Sequence, residues 1–332
     1  MKTGSSLNGK TGILYRSTKT VIVFMKKIWM FILLISVMKA ATAQDSIYIF
    51  SYFKDNGQDG LHLAYSEDGY TWKELDNGRS YLQPTAGKDK LMRDPCVIRG
   101  ADGLFHMVWT VSWNEKGIGY ASSPDLLHWS AQQDIPVMEH EPGALNCWAP
   151  EITYDARSKT YMIYWATTIP GRFPAGDTSG DDKYNHRLYY VTTKNFKQFT
   201  PARVLYDQGF NVIDATIIPD NNRYVMFLKD ETRKPPQKNI RFAVSNKLTR
   251  GYGKPSAPIT GQYWAEGPTV LKRGKKWIVY FDKYTQGSYG AIKSEDNGKT
   301  WTDISDKLTM PKGLRHGTVV AITREEYSKL KD

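Results

Sequence analysis

Cysteine is scarce: Cys96 and Cys147 are the two in 332 residues. That excludes a small disulfide-stapled fold, and no paired Cys or His spacing suits a zinc ion. Both lie near the starts of neighbouring strand-like runs, so one bridge between them is left open beside two buried thiols. Amphipathic helices are missing too, apart from a short helical pattern at Arg324 to Leu330. No low-complexity stretch interrupts the chain, which argues for one domain. A Gly-x-Ser-x-Gly turn is absent, which argues against an ordinary serine hydrolase. Gly4-Ser-Ser-Leu-Asn-Gly-Lys-Thr11 fits the letters of a nucleotide-binding loop but follows no strand, so we set it aside.

Acidic residues are wanting from residues 1–43, which hold seven Lys and Arg. Within that stretch Met25-Lys-Lys is a basic head, Ile28 to Val37 an apolar middle, and Ala41-Thr-Ala43 a small-residue cleavage site. We read 25–43 as a signal peptide, 1–24 as an upstream extension ahead of the true start at Met25, and 44–332 as the mature domain. The apolar middle is too short to span a membrane, and no cysteine stands near the cleavage point to carry a lipid. The expected destination is periplasmic or extracellular. Without the seven basic residues of this leader the formal charge falls from +11 to +4. That surplus is too small and too dispersed for a nucleic-acid footprint.

What the chain does contain is a repeat. Ala64-Tyr-Ser-Glu-Asp-Gly-Tyr-Thr-Trp72 returns as Ala121-Ser-Ser-Pro-Asp-Leu-Leu-His-Trp129 and as Val191-Thr-Thr-Lys-Asn-Phe-Lys-Gln-Phe199. Further copies end at Tyr252 and Trp301. Five copies about 50–70 residues apart predict the blades of a propeller, each of four antiparallel strands. In each copy a strand ends, Asp, Asn or Gly makes the turn, and an aromatic opens the outer strand and packs between blades. The copy Ser294 to Trp301 resembles the Asp-box turn of sialidases, a rim element with no chemistry of its own. The innermost strand of the last blade falls at Gly317 to Ile322. Pairing it with Ile47-Tyr-Ile-Phe-Ser-Tyr52 closes an all-β, five-bladed ring with both chain ends in one blade.

An acidic residue heads four strand-like runs: Asp94-Pro-Cys-Val-Ile, Glu151-Ile-Thr-Tyr, Asp214-Ala-Thr-Ile-Ile and Glu266-Gly-Pro-Thr-Val-Leu. His316 heads a fifth. Placed at equivalent points of a radial repeat, these carboxyls converge on the axis, and converging carboxyls suit acid–base chemistry at a glycosidic bond. Glu266, flanked by Trp264, Ala265, Gly267 and Pro268, has an apolar setting that favours the protonated acid. Asp94 is the candidate general base, and Asp214 the residue that tunes and holds Glu266.

The segments Arg93-Asp-Pro-Cys-Val-Ile98, Trp148-Ala-Pro-Glu151, Val212-Ile-Asp-Ala-Thr216 and Ala265-Glu-Gly-Pro-Thr-Val270 resemble glycoside hydrolase family 43 over nearly the whole mature chain. The resemblance implies an inverting enzyme with its base at Asp94, its pKa-modulating residue at Asp214 and its acid at Glu266. It implies plant-type oligosaccharides or polysaccharide side chains as substrates, with exo-acting α-L-arabinofuranosidase activity favoured beside β-xylosidase. Exo-β-galactosidase, a glycan phosphorylase on related blades, and a non-catalytic glycan-binding propeller are the alternatives. Glu151 and Arg315 are candidate ligands of sugar hydroxyls. Trp109, Trp113, Trp148 and Trp264 are candidate stacking platforms. His316 resembles an axial histidine found beside a calcium ion or water. No cofactor is required, a structural calcium is left open, and neither nucleic acid nor a membrane is an expected partner. The Gly- and Pro-rich stretch Thr168 to His186 is expected to line the pocket mouth.

Overall fold

Runs of β-branched and aromatic residues alternate with Gly, Asn and Asp turns, and they fold into strands. The computed structural model describes residues 46–174 and 184–331, and within them nineteen strands form five sheets. The leader expected at 1–43 lies outside the described residues. In the first sheet β1 (Ser46–Phe53), β2 (His62–Ser66) and β3 (Lys73–Glu74) follow an innermost β19 (Arg315–Thr323). The second is β4 (Arg93–Arg99), β5 (Phe105–Thr110), β6 (Ile118–Ser123) and β7 (Gln133–Ile135). The third is β8 (Trp148–Asp155), β9 (Thr160–Thr168), β10 (His186–Thr193) and β11 (Arg203–Tyr206). The fourth has β12 (Val212–Asp220), β13 (Arg223–Asp230) and β14 (Asn239–Ser245). The fifth has β15 (Glu266–Arg273), β16 (Lys276–Lys283), β17 (Ser288–Ser294) and β18 (Thr302–Asp303).

The inner strands pack in a closed ring, β19 on β4, β4 on β8, β8 on β12, β12 on β15 and β15 on β19. This is a five-bladed β-propeller. Closure is made where β19 lies against β1. The Thr318 N–H donates to Ser51 Oγ at 3.3 Å, and the Ser51 hydroxyl donates to the Pro95 carbonyl of the next blade at 2.8 Å. Gly317 is required there, because a Cβ would stand 1.7 Å from the Ser51 carbonyl oxygen.

Second strands such as β5 are buried at every position, since each is covered on both faces by neighbouring blades. Five apolar clusters fill the gaps between blades, and each takes in one aromatic of the repeat: Trp129, Phe199, Tyr252, Trp72 and Trp301. The turns before them share one hydrogen-bond pattern. Ser66, Ser123, Thr193 and Ser294 each cap the turn with a hydroxyl, accepting the N–H of Gly69, Leu126, Phe196 and Gly298 respectively. Asp68, Asp125, Asn195 and Asp296 accept the N–H groups that follow.

The fourth blade departs from the four-stranded expectation. Gly253, Ser256 and Ile259 donate to carbonyls of β14 or its flank, but Pro255 and Pro258 have no N–H to continue a ladder. Three strands are paired there among the described residues. The short helix α1 (Arg324–Lys331) buries Tyr327 and Leu330 against the first and second blades. Cys96 and Cys147 are free, buried thiols, so the bridge left open does not form. No helix among the described residues is long and apolar enough to cross a membrane.

Candidate active site

Four inner strands begin with the same irregularity. Arg93 faces Thr110 and Cys96 faces Val108, so three steps on β4 match two on β5. The same offset separates Trp148 and Glu151 on β8, Ile213 and Thr216 on β12, and Glu266 and Thr269 on β15. Each strand thus carries one extra residue, a β-bulge. The residue after the first of each pair is left-handed in every case: Asp94 (φ 53°), Ala149 (φ 47°), Asp214 (φ 51°) and Gly267 (φ 57°). Holding a non-glycine residue there costs about 1–2 kcal/mol.

The bulge corrects the expectation that the four carboxyls occupy one equivalent position. Asp94 and Asp214 do. Glu266 stands one residue before the bulge, beside the site of Arg93, and Glu151 two residues after it, beside the sites of Cys96 and Thr216. A bulge breaks the alternation of a strand, so residues of odd and even offset both reach the hub. Because all four strands carry the same insertion, comparing the runs with one another leaves no gap to betray it.

His316 links these groups. Its Nδ1 lies 3.3 Å from Asp94 Oδ1. Burial alone would lower the ring, but Asp94, with Asp214 and Glu151, raises it to about 9. Burial alone would raise Asp94, but the His316 bond and charge, with Arg93 and the Thr110 hydroxyl, hold it down at about 2. Asp214 is raised to about 6, by burial first and then by Glu266 and Asp94, against His316 and Lys229. Glu151 is raised to about 7, chiefly by burial, with the Thr216 and Tyr164 hydroxyls opposing. Gly267 N–H donates to Asp214 Oδ2 at 3.1 Å, and Thr110 Oγ1 donates to Asp94 Oδ2 at 2.8 Å while accepting the Ala149 N–H.

The surroundings of Glu266 differ from the apolar setting expected. Lys229 Nζ lies 2.9 Å from its Oε2, and Arg315 Nη2 lies 3.2 Å from its Oε1. Arg315 is anchored by Asp282 at 2.5 Å, and Lys229 by Glu231 at 2.7 Å. Cations from β13 and β19 meet the carboxyl. Lys229, Asp282 and Thr110 were not among the residues singled out from sequence. They share a signal, however: each is last or next to last in the second strand of its blade, and antiparallel pairing returns that end to the start of the first.

The aromatic candidates divide. Trp109 is 0% exposed and packs its ring against Gly119, where a Cβ would meet it at 2.0 Å, so it offers no face to a sugar. Trp113 and Trp264 are each 41% exposed. Trp113 meets Trp148 edge-on at 5.5 Å and is covered on one face by Arg93. Trp148 also packs on Tyr184 and His186. Of the expected mouth segment, residues 175–183 lie outside the described residues. As for calcium, the His316 ring is engaged by Asp94, and among the described residues no group of three His, Cys, Asp or Glu side chains is arranged to hold a metal ion.

A propeller with carboxyls of opposed character at its hub is an architecture for hydrolysing glycosidic bonds. Residues 45–328 match the family model described as a probable glycosyl hydrolase domain, and the chain belongs to this glycosyl hydrolase 43-related family. An alpha-L-arabinofuranosidase of Bifidobacterium longum subsp. longum is 24% identical over 221 residues, 58% of this chain and 20% of that protein. The chain therefore spans about a fifth of the length of that curated relative. A family-43 protein of Bacillus licheniformis shares the fold at TM-score 0.50 and 20% identity, covering 64% of this chain and 41% of that one. An exo-beta-1,3-galactanase of Clostridium thermocellum does so at TM-score 0.50 and 12% identity, covering 66% of this chain and 50% of that one.

Proposed function

We propose that the protein is an exported, exo-acting hydrolase that removes single sugars from plant-type oligosaccharides or polysaccharide side chains, with terminal α-L-arabinofuranose the favoured sugar and β-xylose next. The observation that carries the chemistry is the divergence of neighbouring hub carboxyls. Asp94 is held at about 2 by His316, while Asp214, in the same field, is raised to about 6. A carboxylate kept ionised suits the base: it takes a proton from water as the water oxygen attacks the anomeric carbon. The glycosidic C–O bond breaks on the opposite face, and Glu266 delivers its proton to the leaving oxygen. Asp214 holds the acid's strand through Gly267 N–H and lends it negative charge. Two carboxyls and a water balance this reaction without a cofactor. The name of the Bifidobacterium relative favours arabinofuranose; the galactanase likeness carries the fold alone.

The test is turnover of aryl α-L-arabinofuranoside, β-xyloside and β-galactoside, with NMR of the first anomer released. Inverted sugar from the arabinofuranoside is the expected result. Asp94→Asn and Glu266→Gln should each lose about 10²–10⁴-fold. Near-normal activity of Asp94→Asn would overturn the base assignment. Sugar phosphate formed only with added phosphate would indicate a phosphorylase, and glycan binding without turnover a binding propeller.

A further inference from the structure

Behind Glu266 stands a second layer of charge. Lys229 is a lysine with 2% of its side chain exposed, and a buried ammonium is costly unless it is paired. It is paired twice, with Glu266 and with Glu231, and Tyr284 caps it at 4.5 Å from ring centroid to Nζ. Glu231 in turn binds Lys238, whose ammonium lies over the Trp264 ring. Trp264 packs on Tyr284 at 6.0 Å, which closes the circuit. A methionine would fill the place of Lys229 with no charge to satisfy, so packing alone does not account for the lysine.

We propose that Lys229 is a positioning residue of the hydrolase: anchored by Glu231, it holds the Glu266 carboxyl at the hub and couples it to the Trp264 platform. This rests on Glu266 being the proton donor. The charged groups facing Lys229 are Glu266, Glu231 and Asp214, and Arg315 faces Glu266 from the other side. Removing Lys229 takes away the contact that fixes Glu266 Oε2. Removing the charge of Glu231 takes away the anchor that fixes Lys229.

The experiment measures kcat and KM for Lys229→Met, Lys229→Arg and Glu231→Gln. It uses whichever glycoside the wild type cleaves, once with a nitrophenyl and once with a methyl leaving group. Lys229→Met should lose roughly tenfold or more in kcat on the methyl glycoside, with little change in KM and less loss on the nitrophenyl glycoside, which needs no proton. Glu231→Gln should show the same contrast between the two glycosides to a smaller degree, and Lys229→Arg should restore most of the methyl-glycoside turnover. Should Lys229→Met fail to fold, the contrast in Glu231→Gln decides. Equal losses on both glycosides overturn the proposal. Full turnover of the methyl glycoside by Glu266→Gln would instead remove the acid assignment itself.

Discussion

At the scale of single residues, the hub works by giving like groups unlike neighbours. Asp94 and Asp214 occupy the same bulge position on different blades, yet one is depressed to about 2 and the other raised to about 6. The difference lies in what each touches: Asp94 meets the His316 ring and the Thr110 hydroxyl, whereas Asp214 meets a backbone N–H and stands near Glu266. Asp94 therefore stays ionised well below the pH at which Asp214 takes up its proton. On the reading of Asp214 as the group that holds and tunes the acid, protonating it removes both effects. We expect kcat/KM to fall below about pH 6, on a limb that needs the Asp214 carboxyl. An Asp214→Asn variant should be less active at pH 7 and should lose that limb. A kcat/KM profile from pH 4 to 8 decides it, and a limb near 6 surviving in the variant would assign the titration elsewhere.

At the scale of elements, the bulge is the device that brings side chains of different offset to one point, and its positions are not interchangeable. Gly267 combines φ 57° with a His316 ring so near that an added Cβ would lie 2.4 Å from Cγ. Ala149 holds the same place on β8 as a residue with a Cβ, at φ 47°. Gly267→Ala should destabilise by more than about 2 kcal/mol, from left-handed strain plus the collision. Ala149→Gly should stay within about 1 kcal/mol of wild type, because relief of strain offsets the added freedom of the unfolded chain. Urea titrations of the two variants test this, and equal effects would show that the bulges tolerate side chains alike. Elements were the level most legible in the sequence, since period-2 runs and Ser-x-Asp turns are local signals. The bulge was less so, although aligning Pro95, Pro150, Ala215 and Pro268 sets Asp94 and Asp214 together and leaves Glu266 and Glu151 on either side. Contacts across blades were not legible. Nothing local tells that Lys229 meets Glu266, or that Trp109 is walled in by Gly119 while Trp264 is open.

For the whole molecule, ring closure forces one consequence that no single blade would have. Five strand starts meet at the hub, so His316, which arrives on β19, is ringed by Asp94, Asp214 and Glu151 from three other blades. That field raises the ring from 6.5 to about 9. Between those two values the folded protein binds the proton and the unfolded chain does not. Stability from this group is thus complete below about pH 6.5 and is lost as pH rises through about 9. The shift corresponds to about 3 kcal/mol. Below pH 6.5 the signs are mixed, because buried His186, lowered to about 4, opposes the raised carboxyls. Near pH 9 and above, the buried Cys96 and Cys147 thiols add a fall of the same sign. The window in which His316 dominates is therefore pH 7 to 8.5, with Glu151, raised to about 7, adding a smaller fall of the same sign at its lower end. Across it we expect Tm to drop by several degrees in the wild type and by clearly less in His316→Asn, where Glu151 alone titrates. NMR of ring-labelled histidine should show one imidazole titrating near 9 in the folded protein. A histidine spectrum in which every ring titrates by pH 7, or an equal slope of Tm in the variant, would mean that the hub does not hold a charged His316.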